Sequence, residues 1–259
     1  MLKIKHSGFA ATLGVLVSLA SAFAFATETK NERIVFIGDS HSVGEFGITL
    51  NSWLRSRPSA DFVFFASGGS APLQWRNGIF TSKCALKDDS SRPTPPKKAC
   101  STLLTPKLST LLASPESYSR STVLIALGTN MSGKAEDRAN EIKWAKNLLN
   151  DVRTSGAQCA WIGPPDMSFY STEQIETRYS IIRNAIDQEA EASLGTPCTL
   201  IDSRKISHYP KSISKPEIKP EGIHYDLPGA IYVEGIQAAH SWGESVASEL
   251  EAILTTLSR

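Results

Sequence analysis

The chain has 259 residues, of which 41% are hydrophobic, and 27 Lys and Arg stand against 26 Asp and Glu for a formal net charge of +1 at pH 7. That length suits one full-sized domain and is short for two. A balance so near neutrality asks for neither nucleic acid nor an anionic membrane surface, so a polyanion-binding role is excluded from the expectations.

The chain opens on Lys3, Lys5 and His6, runs apolar from Phe9 to Ala26, and turns polar at Thr27-Glu28-Thr29-Lys30. Ala24-Phe25-Ala26 is the small-x-small pattern that signal peptidase accepts, so residues 1–26 read as a cleaved secretory signal. A membrane anchor is the competing reading, but the apolar core is short for a span and rich in Ala, Ser and Gly. No cysteine sits at the cleavage point to take a lipid. The expectation is a periplasmic or secreted protein with no stable membrane anchor after cleavage, its single domain spanning residues 27–259.

Arg33-Ile34-Val35-Phe36-Ile37-Gly38 is a short, continuous apolar run ending in glycine, which predicts a buried parallel strand. Phe62 to Ala66, Thr122 to Leu127, Ala160 to Gly163 and Thr199 to Asp202 read the same way. Between them, Lys134 to Ser155 places Ile142, Ala145, Leu148, Leu149 and Val152 on one helical face. Thr172 to Leu194 does likewise with Ile175, Tyr179, Ile182, Ala185 and Ile186, and a last helix is predicted from about Pro228 to Leu257. Strands alternating with helices predict a three-layer α/β/α sandwich with a five-stranded parallel sheet. The stretch from Cys84 to Cys100, with Asp88-Asp89 and Pro93-Thr94-Pro95-Pro96, reads as a surface loop. Ile206 to Pro220 reads as another.

The four cysteines are Cys84, Cys100, Cys159 and Cys198. An even count in an exported chain favours disulfides over metal binding, since none has a C-x-x-C partner or a nearby histidine. The expected pairs are Cys84 with Cys100, closing the polar loop, and Cys159 with Cys198, each at the start of a predicted strand. Neighbouring parallel strands would bring the latter pair to one sheet edge.

Ligands of open parallel sheets bind at the carboxyl ends of the strands, so the residues just after each strand matter most. The first strand ends in Gly38-Asp39-Ser40-His41-Ser42, which offers a serine hydroxyl beside helix-start N–H groups, though Gly-Asp-Ser is also a common turn. The second ends in Ser67-Gly68-Gly69-Ser70, where glycines let a backbone N–H face a site. The third ends in Gly128-Thr129-Asn130, whose amide can donate to an oxyanion or cap a helix. Near the C-terminus, Glu221-Gly222-Ile223-His224 sets a carboxylate three residues before a histidine, a spacing that can orient the imidazole. His41 reads as a local hydrogen-bonding residue rather than a substrate contact. Trp75 and Arg76 are candidates for lining a cleft, although a tryptophan there is more often packing.

Taken in order, these four segments resemble the blocks of the SGNH (GDSL) hydrolase family, over about Arg33 to the C-terminus. The resemblance implies the SGNH hydrolase, flavodoxin-like fold and a serine esterase with no metal or organic cofactor. It implies Ser40 as nucleophile, His224 as base, Glu221 as the acid of the triad, and an oxyanion hole from the N–H of Ser40, the N–H of Gly69 and the side chain of Asn130. Gly68 is the alternative to Gly69. The family usually has Asp where this chain has Glu221, and Gly-x-Asn-Asp where Met131 stands last here. The implied partner is an acylated small molecule or polysaccharide, with acetyl the favoured acyl group. Two alternatives share the residues: an acyltransferase passing the group to a glycan, and a glycan-binding domain with a vestigial site. The sequence leaves the oligomeric state open.

Overall fold

A computed structural model describes residues 32–95, 101–113, 118–193, 196–207, 224 and 233–256. The expected signal segment, Glu221, Cys100 and the loop from 208 to 220 lie outside these residues. In chain order the described residues form β1 (Glu32–Gly38), a 3-10 turn (His41–Val43), α1 (Glu45–Arg55), β2 (Ala60–Ser67), α2 (Pro72–Asn77), β3 (Thr81–Asp89) and β4 (Ser101–Leu104). They continue with α3 (Leu108–Leu112), β5 (Arg120–Ala126), α4 (Arg138–Thr154), β6 (Gln158–Ile162), α5 (Thr172–Ser193), β7 (Thr199–Ile201) and α6 (Val233–Thr256).

The strands make one sheet of seven, ordered β4-β3-β2-β1-β5-β6-β7. Strands β2, β1, β5, β6 and β7 run parallel, and β3 and β4 add antiparallel at one side. The expected five-stranded sheet is therefore corrected to seven, because Thr81–Asp89 is a strand and not part of a surface loop. Its charge misleads. Asp88 is fully buried, yet Arg55 of α1 holds it through two hydrogen bonds of 2.6 and 2.7 Å and Asn51 donates a third at 2.9 Å. A buried carboxylate so paired no longer argues against a sheet.

Strand β1 is buried along its whole length because helices cover both of its faces. Ile34 and Phe36 belong to the core under α1 and α6, with Phe36 stacked on Phe64 at 4.3 Å. Val35 and Ile37 belong to the other core, with Val123, Ile125, Trp161 and Leu148. Helices α1 and α6 pack closely: Phe46 stacks on Trp242 at 3.6 Å, and a β-carbon on Gly243 would fall 2.7 Å from Cβ of Thr49. Only a residue without a side chain permits that approach. Among the described residues no helix is long and apolar enough to cross a membrane.

At the amino-terminal edge, Glu32 pairs with Arg120 of β5 at 2.7 Å and with Arg57, before β2, at 3.1 Å. Cys159 and Cys198 form a disulfide at this edge, joining β6 to the residue before β7 with Cα atoms 4.5 Å apart. The bond closes a span of 39 residues, for which the chain-entropy relation gives about 4 kcal/mol. A Cys159→Ser, Cys198→Ser double variant should lose stability of that order or less, measured as the urea-unfolding free energy. Reducing the wild type should move its midpoint in the same direction.

Candidate functional site

The site is built on one rung of the sheet. Gly38 at the end of β1 pairs with Ala66 of β2 on one side and Ala126 of β5 on the other. Three loops therefore leave the sheet at one level, carrying Ser40, Gly69 and Asn130 within a few residues of that rung. Asp39 N–H continues the ladder, donating to the Ala126 carbonyl at 3.1 Å. The chain then turns through the 3-10 segment into α1, so Ser40 stands half-buried at a helical entrance.

The structure brings Ser40 and His224 together, with Nε2 2.7 Å from Oγ. With the imidazole proton on Nδ1, the serine hydroxyl donates to Nε2. Such a pair can lose the hydroxyl proton to the ring as the oxygen attacks an electrophilic carbon. Glu221 lies outside the described residues.

Asp39, given no role from sequence, is a described carboxylate whose charge reaches His224. It is buried, accepts the His41 N–H at 3.1 Å, and accepts both the hydroxyl and the N–H of Thr129. Burial pushes its carboxyl up to about 6, against the pull of these hydrogen bonds and of His224. His41 is also buried, its Nε2 3.4 Å from Sδ of Met167 and its ring edge-on to Trp242 at 5.5 Å. Its ring centre lies 5.3 Å from that of His224. Burial, then repulsion from His224, holds its imidazole well below the ordinary histidine range, so it stays neutral and packs behind His224.

The second loop separates the two glycines. Gly68 N–H donates to the Cys84 carbonyl at 2.9 Å and is used by the sheet extension. Gly69 is exposed with φ of 82°, and among the described residues no acceptor takes its N–H. The left-handed backbone explains why glycine stands there. Ser70 fixes the turn: its N–H bonds Ser67, its hydroxyl reaches the Gly38 carbonyl at 3.3 Å, and Trp75 Nε1 donates to that hydroxyl at 3.0 Å. Trp75 is thus fully buried beneath the loop and lines no cleft, while Arg76 is exposed on α2. The sequence signal for this bracing was weak, since a serine five residues before a tryptophan is unremarkable.

The third loop is held as firmly. Asn130 is exposed, and its amide donates one N–H to the Ser70 carbonyl at 3.0 Å, a bond that does not use the second N–H. Tyr170, beneath the Arg178 guanidinium at 3.7 Å, donates to the Thr129 carbonyl at 3.3 Å. Met131 is buried in the core, so an aspartate in that place would have to be buried too. A cavity of about 220 Å³ lies at the opposite edge, beside Cys159 and Cys198. Its charged lining residues, Arg153 and Glu189, pair with each other at 2.6 Å, and the chemistry-bearing groups are all at the other edge. Among the described residues no cluster of His, Cys, Asp and Glu is placed to hold a metal ion.

Asp39 and His41 have opposite effects on stability with pH. The raised carboxyl of Asp39 contributes stability that is present below pH 4 and lost as pH rises through about 6. Between pH 4 and 7 the wild type should therefore lose about 2 kcal/mol relative to Asp39→Asn, from a shift near two pH units. The lowered imidazole of His41 acts the other way, since the unfolded chain takes a proton below pH 6.5 that the native state refuses. Relative to His41→Phe, the wild type should lose stability as pH falls below 6.5. Urea unfolding of the three proteins between pH 4 and 7.5 checks both slopes.

No family model and no curated protein matches the chain. Among solved structures it is similar to an acetyl xylan esterase, AlAXEase, at 14% identity, covering 67% of this chain and 78% of that one with a TM-score of 0.41. It is also similar to a DUF4886 family protein from Bacteroides uniformis ATCC 8492, at 14% identity, covering 82% and 81% with a TM-score of 0.44.

Proposed function

We propose that the protein is an exported serine esterase of the SGNH type, removing small acyl groups, acetyl first among them, from polysaccharide. The observation that supports this reading is the 2.7 Å contact between Ser40 Oγ and His224 Nε2, at the sheet edge where Gly69 and Asn130 also stand.

In this mechanism His224 takes the Ser40 proton as Oγ attacks the ester carbonyl carbon. The carbonyl oxygen becomes an oxyanion and accepts hydrogen bonds from Ser40 N–H, Gly69 N–H and the second N–H of Asn130. His224 then gives its proton to the departing alcohol oxygen as the carbon–oxygen bond breaks, leaving an acyl-Ser40 ester. Water attacks that ester with His224 again as base, and the free acid leaves. Glu221 orients the imidazole and stabilises its charged form. Asp39 adds a negative charge behind the ring. The Ser70 and Thr129 contacts hold the oxyanion donors in place before substrate arrives, which is where such sites gain most of their rate.

Ser40→Ala should lower kcat for an aryl acetate roughly 10⁴-fold or more, His224→Ala nearly as much, and the double variant no further, because the two act as a unit. Asn130→Ala should lower kcat by about 10² to 10³ with little change in KM. Glu221→Ala should hurt less than His224→Ala. Acetate release from purified polysaccharides, with Ser40→Ala as control, tests the substrate. A serine-reactive phosphonate that labelled another residue, or a wild type inert to every ester, would overturn the reading.

A further inference from the structure

Strand β3 does not stop where β2 does. Its last rung with β2 pairs Ala85 with Ser67, yet β3 begins at Thr81, so Thr81 to Cys84 stand beyond the end of β2. By the usual rise per strand residue that overhang is roughly 10 Å. Strand β4 accompanies it, with Leu104 opposite Thr81, and Thr105 N–H bonds the Phe80 carbonyl at 2.7 Å. The β3–β4 pair therefore forms a wall rising above the carboxyl edge, next to the loop that carries Gly69.

The side chain at the foot of this wall is Phe80. Its ring tip lies 3.4 Å from the point where a β-carbon of residue 69 would be, so the half-buried ring covers the α-carbon of Gly69. Next to it in the chain, Ile79 is 77% exposed. Within the esterase reading, the direction of the substrate follows from the base. His224 must protonate the leaving oxygen, so the alcohol part of the ester lies on its side of Ser40. That side is the one toward β5 and β6, because His224 stands against His41, which touches Met167 in the loop after β6. In the strand order, β2 and β3 lie on the opposite side of β1. The acyl group is thus directed away from His224, toward Gly69 and the ring of Phe80.

We infer that Phe80 is the end wall of the acyl site and sets the length of acyl chain the enzyme accepts. This rests on the esterase reading and deepens it. On this inference the ring stops an acyl chain longer than acetyl, because it stands over Gly69, where the chain would extend. Removing the ring opens room for further methylenes, each of which gains roughly fourfold in binding when buried.

The test measures kcat/KM for p-nitrophenyl acetate, butyrate and hexanoate with the wild type, Phe80→Ala, Phe80→Leu and Phe80→Trp. The hexanoate-to-acetate ratio should rise about tenfold or more in Phe80→Ala, rise less in Phe80→Leu, and fall below the wild-type value in Phe80→Trp. Thermal melts identify any variant that fails to fold, and the leucine and tryptophan variants decide the question if the alanine variant does. Ratios within twofold of wild type in folded variants would overturn the inference while leaving the esterase intact. A wild type that hydrolyses none of the three esters and is not labelled at Ser40 by a phosphonate would overturn both.

Discussion

The rung that joins Gly38 to Ala66 and Ala126 is the constraint on which the site depends. Backbone amides buried between two layers of helix must find partners within the sheet, so β1 is held on both sides along its full length. Its side chains reinforce the register, because Ile34 and Phe36 fill one core while Val35 and Ile37 fill the other. A slip by one residue would exchange the two sets between cores of different shape. With the register fixed, the loops after β1, β2 and β5 begin at one height. The relative positions of Ser40, Gly69 and Asn130 are then matters of a few residues each.

Those few residues are held by polar groups placed where water does not reach. Ser70 ties the second loop down to the Gly38 carbonyl and up to the Asn130 amide, and Trp75 supports it from below. Thr129 binds Asp39 through its N–H and hydroxyl while Tyr170 binds its carbonyl. Each bond is modest by itself, but a buried partner left unmade would be expensive, so the three loops are locked to one another. Asp39 is the exception in kind. It is a carboxylate kept in a dry place against its own preference, held there by hydrogen bonds from His41 and Thr129.

The five parallel strands and the helices between them were legible because their apolar runs and 3-4 spacings are properties of adjacent residues. Strands β3 and β4 were not, since Lys87-Asp88-Asp89 looks like solvent-facing chain until Arg55 and Asn51 are known to meet Asp88. At the site, the four motif segments could be read off in order, and the structure sets Ser40 against His224. That the N–H of Gly68 is committed could not be read, because it turns on the Cys84 carbonyl across a strand pair that the sequence concealed. Trp75 was a candidate for a cleft against the commoner expectation of packing, and the hydroxyl of Ser70 decides for packing. Neither the bracing by Tyr170 nor the packing of His41 on Met167 leaves a trace in local pattern, since each partner comes from a distant segment.

The close approach at Gly243 has a mechanical consequence. Trp242, beside it in α6, lies with one face on Phe46 of α1 and its edge toward His41, which in turn backs the ring of His224. Helix α6 therefore serves as a lever whose fulcrum is the contact of Gly243 with Thr49. A single methyl group added at that fulcrum would lift the helix from α1, and a packed interior passes such a displacement on rather than absorbing it. The motion would arrive at the far end as a changed separation between an imidazole and a serine hydroxyl. The spacing of two helices on the back of the molecule thus acts as the gauge block against which the distance at its front is set.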